Sequence, residues 1–98
     1  MKLWSMIAKH EGDTFVSTHL THEGALRSAI RECFDFFCLS DGDTRFMVEA
    51  QQEVTVNYAE IAKMGGEELS ALFTVLVEET WDPNCDFLID IAPSTLEA

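Results

Sequence analysis

The stretch from Lys2 to Leu20, KLWSMIAKHEGDTFVSTHL, decides the fold. In KLWSMIAK, Trp4, Met6 and Ala8 alternate with Leu3, Ser5 and Ile7, so both faces of a strand here are largely apolar. His10-Glu11-Gly12-Asp13 is a turn signal, because glycine adopts positive φ without steric cost. TFVSTHL then returns as a β-branched and aromatic strand, and the two runs predict an antiparallel hairpin.

Working outward, Thr21 is placed to cap a helix from His22 to about Cys38. Leu26, Ile30, Cys33 and Phe37 recur at helical spacing, with Ala29 and Phe36 widening the stripe. On the other side Glu23, Arg27, Arg31 and Asp35 fall four apart. Glu23 precedes Arg27 in the favoured order for an ion pair, and a solvated face or a binding face would both carry such a row. Ser40-Asp41-Gly42-Asp43 breaks the helix. Residues 44–56 read ambiguously: Arg45 to Ala50 suits a strand or a helical turn, and Val54-Thr55-Val56 is strand-like. Asn57 and Glu60 form a capping-box pattern for a short helix, Tyr58 to Met64, ended by Gly65-Gly66.

A second long helix is expected from Glu67 to Thr80, burying Leu69, Leu72, Phe73 and Leu76. Trp81-Asp82-Pro83-Asn84 reads as a loop, with Trp81 either a partly buried loop residue or an interface anchor. Cys85 to Ala92 (CDFLIDIA) reads as a strand pairing with the first hairpin. Phe87, Ile89 and Ile91 point one way and Asp86, Leu88 and Asp90 the other; Pro93 is expected to end the strand and the tail to fray. The expected class is α+β: residues 1–98 as a single domain, with a small antiparallel sheet (N-terminal hairpin plus C-terminal strand) and helices packed on one face.

Charge is the functional lead. The chain carries 18 acids against six lysines and arginines, a formal net charge of −12. From Met64 onward there is no lysine or arginine, only Glu67, Glu68, Glu78, Glu79, Asp82, Asp86, Asp90 and Glu97. Like charges on a compact surface repel, so this bias serves solubility or a positively charged partner rather than the fold. Glu67 and Glu68 suit a helix N-terminus, whereas Glu78 and Glu79 oppose the dipole at its C-terminus and are therefore candidates for function. The partner-binding set is taken as Glu67, Glu68, Glu78, Glu79, Asp82, Asp86 and Asp90. Such acidity argues against direct contact with nucleic acid or anionic membrane, and favours a basic nucleic-acid-binding protein as partner. An apolar fraction of 47% excludes disorder.

Catalytic and cofactor signatures are not expected. His10, His19 and His22 lie near one another but lack the spacing of a zinc site. Cys33 falls on the apolar stripe, and neither Cys38 nor Cys85 has an assigned histidine partner. Gly65-Gly66 lacks the lysine and Ser/Thr framework of a phosphate loop. The cysteine usage and the lack of a secretory or membrane-spanning run make a reduced, cytoplasmic setting the expectation.

Three pieces carry a resemblance: the Lys9-His10-Glu11-Gly12-Asp13 turn, TFVSTHL leading into a helix, and the closing helix with its FLIDI strand. Together they resemble small acidic accessory proteins of bacteriophages and plasmids. The resemblance implies a phage protein that inhibits host defence, of the kind represented by anti-CRISPR proteins and DNA mimics, acting in the host cytoplasm. It carries no functional residue across. The alternative is a self-associating structural or regulatory module, a homodimer whose second copy covers the other face of the sheet.

Overall fold

The computed structural model describes residues 2–80 and 87–95. The first hairpin pairs β1 (Lys2–His10) with β2 (Asp13–His19), running from Trp4 opposite His19 to His10 opposite Asp13. Glu11 and Gly12 form its two-residue turn, with φ of 52° and 86°. Positive φ at both central positions matches the strand twist, which is why the turn is this tight. The α1 helix (His22–Phe36) follows, its N-cap Thr21 accepting the Gly24 N–H at 3.0 Å.

The C-terminus of α1 is closed by a Schellman arrangement. Leu39 N–H donates to the Phe34 carbonyl at 2.9 Å and Cys38 N–H to Asp35 at 3.0 Å. The left-handed position that glycine usually fills belongs to Cys38, at φ 58°.

The ambiguous stretch is a second hairpin, β3 (Thr44–Met47) with β4 (Gln52–Thr55). Asn57 caps the short α2 helix (Tyr58–Ile61) as expected, accepting the Glu60 N–H at 3.1 Å, but that helix stops before Met64. α3 (Gly66–Thr80) begins at the second glycine instead of after it. The last strand, β5 (Leu88–Thr95), pairs antiparallel with β1, giving the order β2-β1-β5. The molecule is thus α+β, with a three-stranded antiparallel sheet and its helices on one face.

Pro93 does not end the final strand; it lies inside β5, opposite Trp4. The tight turn explains this. Residues flanking a two-residue turn exchange backbone bonds, so His10 and Asp13 form a hydrogen-bonded pair, and such pairs then alternate along the ladder. Ser5, Ile7 and Lys9 accordingly direct their backbone groups to β5, and Trp4 does not. Pro93 therefore occupies an outward position on an edge strand, where its missing N–H breaks no ladder bond. Cys85, Asp86 and residues 96–98 lie outside the described residues.

The core forms where α1 meets the sheet, α3 and the second hairpin. Ala25 and Ala29 are fully buried, and Ala29 packs with Met6 and Ala8; the small alanines let the helix approach the sheet. Leu26, Ile30, Cys33 and Phe34 join Leu69 and Leu76 of α3 with Met47, Val54 and Val56 of the hairpin region. Phe34, which the helical stripe did not include, is the largest fully buried side chain among the described residues, while Phe36 and Phe37 are half-buried around the same core.

Candidate functional site

The acids of α3 fall into two pairs at opposite ends of the helix. Glu67 and Glu68 are exposed in the first turn and Glu78 is exposed in the last. Eleven residues at ~1.5 Å per residue put these ends about 16 Å apart. Ser70, Ala71 and Thr74 occupy the exposed surface between them. Glu79 differs from its neighbour. It is half-buried, and its carboxylate accepts the N–H groups of Val48 and Glu49 at 3.2 and 3.1 Å. The glutamate that opposes the helix dipole therefore holds the tip of the second hairpin.

Asp90 is exposed on the sheet face away from the helices, beside Leu88, and its Oδ1 accepts the Ile91 N–H at 2.9 Å. Asp82, Asp86 and Trp81 lie outside the described residues. The remaining members of the predicted set occupy both ends of α3 and the far face of the sheet, so the structure does not bring them into one cluster.

The basic residues carry the more informative pattern. Arg27 does not pair with Glu23; its Nε and Nη2 donate to the carbonyls of Ile61 and Met64 at 3.3 and 3.0 Å. It thereby satisfies backbone oxygens at the end of α2. Arg31 lies 4.9 Å from the Tyr58 ring centroid, Arg45 4.4 Å from that of Phe37, and Lys2 4.9 Å from that of Trp4. Among the described residues no lysine or arginine lies within 4.0 Å of a carboxylate, and the one ion pair is His10 with Glu11, at 4.0 Å. Four of the six lysines and arginines, Lys2, Arg27, Arg31 and Arg45, are thus placed on rings or carbonyls. Among the described residues the carboxylates are left without a lysine or arginine counter-ion.

A half-open groove of about 440 Å³ lies between the first hairpin and the end of α1. His10, Phe15, Glu32, Asp35 and Phe36 line it, with Cys38 at its margin and Phe87 in its wall. Phe36 and Phe87 stack at 4.4 Å, and His10 meets both edge-on at 5.3 and 5.9 Å. Burial, and then the neighbouring Asp35, push the Glu32 carboxyl above its ordinary value. A carboxylate pair one helical turn apart beside aromatic rings is a chemistry suited to a cationic side chain. Sequence reading missed Glu32 and Asp35 in this role because the Phe15 and Phe87 walls come from remote segments, β2 and the residue before β5.

The histidines do not converge on a metal. His22 lies against Trp4 with ring centroids 4.4 Å apart, His19 is 2.7 Å from the Ser17 hydroxyl, and His10 sits among the phenylalanines. Among the described residues no group of three or more His, Cys, Asp or Glu side chains is placed to hold a metal ion. Burial, then Glu32, pushes the Cys33 thiol up to about 12, which keeps it protonated and unreactive near neutrality. Among the described residues no helix is long and apolar enough to cross a membrane.

Fold and site together define a small α+β protein whose described carboxylates have no lysine or arginine within 4.0 Å. No protein family, curated protein or solved structure matches the chain in comparison.

Proposed function

We propose that this chain is an inhibitor that acts by protein–protein binding, its uncompensated acids engaging a basic, nucleic-acid-handling host protein such as a CRISPR effector. One observation carries the reading: among the described residues, no lysine or arginine neutralises a carboxylate. A stability-driven design would pair some of these charges, and a net charge of −12 with no such pair among the described residues favours a partner that supplies the cations. The acidic surface is spread over several faces and is sparser along α3 than a duplex, which bears one charge about every 1.7 Å. Competition with nucleic acid therefore works through the summed field, with the groove at Glu32 and Asp35 as a seat for a basic side chain.

Immobilised protein exposed to a bacterial lysate at low salt tests this. The reading expects basic nucleic-acid-binding proteins to be retained and to be displaced by added duplex DNA. Retention only of proteins that DNA does not displace would refute it.

A further inference from the structure

We propose that β2 is a dimerisation edge, at which a second copy of this chain adds its own β2 to form a continuous six-stranded sheet about a two-fold axis. This goes beyond the acidic-surface reading and does not depend on it.

The two edges of the sheet are built differently. On β5 the outward backbone positions include Ile89, Ile91 and Pro93, as the hairpin ladder dictates. Pro93 has no N–H, and the Ile91 N–H is taken by the Asp90 carboxylate at 2.9 Å. That edge is blunted by two of the devices that discourage strand addition. On β2 the outward positions are Thr14, Val16 and Thr18. Among the described residues no side chain accepts their N–H groups, and the strand, DTFVSTH, contains neither lysine nor proline. Phe15 and Val16 are 51% and 62% exposed. This edge is open.

Its sequence is also self-complementary. Antiparallel pairing centred on Val16 sets Val16 against Val16 and Thr14 against Thr18 of the second copy, using all three outward N–H and C=O pairs. Thr–Thr and β-branched cross-strand pairs are favourable, and no charge lies between Thr14 and Thr18. The same register sets Asp13 beside His19 of the second copy, an acid facing a base at each end of the ladder. A second copy matches this edge better than an unrelated peptide because every pair in the register is supplied by the strand itself.

Electrostatics gives the dimer a signature opposite to that of partner binding. Two chains of net charge −12 repel, so raising salt from about 0.05 to about 0.5 M shortens the screening length and strengthens self-association. Sedimentation velocity at micromolar concentration should show a species of twice the 11.0 kDa chain, more abundant at high salt. Val16→Lys places two like charges across the axis and should weaken the dimer at least about tenfold, with the far-UV circular dichroism spectrum kept; Val16→Thr should remain dimeric. Hydrogen exchange needs no variant. The amides of Thr14, Val16 and Thr18 should be protected at high concentration and exchange quickly on dilution, while those of Phe15 and Ser17, bonded within the hairpin, stay slow throughout. A monomer at all concentrations and salts, or a dimer in which those three amides exchange freely, would overturn the proposal.

Discussion

Glu79 Oε1 accepts the backbone N–H of Val48 at 3.2 Å, across 31 positions of sequence. With the companion bond to Glu49, it ties the last turn of α3 to the tip of the second hairpin, whose Met47 and Val54 enter the core. Glu78, one residue earlier, is exposed and has no such bond among the described residues. The two glutamates that look alike in sequence therefore have separable consequences. Glu79→Ala should destabilise the fold by about 1–2 kcal/mol, the scale of bonds from a partly exposed charged acceptor. Glu78→Lys should leave the denaturation midpoint nearly unchanged and weaken partner binding. Urea denaturation of both variants, beside the lysate retention assay, separates the roles.

Cys38 occupies the left-handed cap of α1 at φ 58°. An L-residue there carries a cost of ~1–2 kcal/mol that glycine avoids, partly offset by the greater freedom of glycine when unfolded. Cys38→Gly should stabilise the protein by about 0.5–1 kcal/mol, read as a raised urea midpoint at unchanged slope. A loss of stability would show that the thiol makes contacts outweighing the strain.

The two described cysteines should also differ chemically. Cys38 is exposed and should be alkylated by iodoacetamide within minutes near pH 8, whereas buried Cys33 should react only on unfolding. Burial favours the neutral thiol of Cys33, raising it from 9.0 to about 12 in the folded protein. The folded state then holds a proton that the unfolded chain releases above about 9, so the associated stability is complete below that pH and is lost as pH rises toward 12. Denaturation of the wild type and Cys33→Ala between these limits should show the steeper alkaline decline in the wild type.

Gly66 begins α3 with its Cα side facing Glu23, whose Oε1 would lie 2.9 Å from an added Cβ. The Glu23 carboxylate thus lies at the start of α3 instead of against Arg27. Gly66→Ala should force that carboxylate outward, a change the flexible side chain accommodates for less than about 1 kcal/mol. Thermal unfolding of the variant checks the figure.

The elements written in local chemistry were legible in the sequence. Gly12 announced the hairpin, Thr21 and Asn57 announced two helix starts, and the apolar spacing of Leu69 and Leu76 announced α3. Residues 44–56 were not legible, because exposed Phe46 and Val48 interrupt the alternation that marks a half-buried strand. Pro93 was misread for a related reason: proline ends a central strand, and only the pairing order shows β5 to be an edge. The surface chemistry was harder still. Counting charges gave the acidic bias, but the use of Arg27 on carbonyls and of Arg31 and Arg45 on aromatic rings depends on tertiary neighbours. Glu79 likewise passed for a free surface acid until its hairpin partners were in place.

The central claim is that these unpaired acids are held for a basic partner. Its most direct test is the salt dependence of association between this protein and a retained nucleic-acid-binding partner, followed from about 0.05 to about 0.5 M salt. The account predicts an association rate falling by at least about tenfold across that range, with a much smaller change in dissociation. Association that is indifferent to salt, or strengthened by it, would contradict the claim.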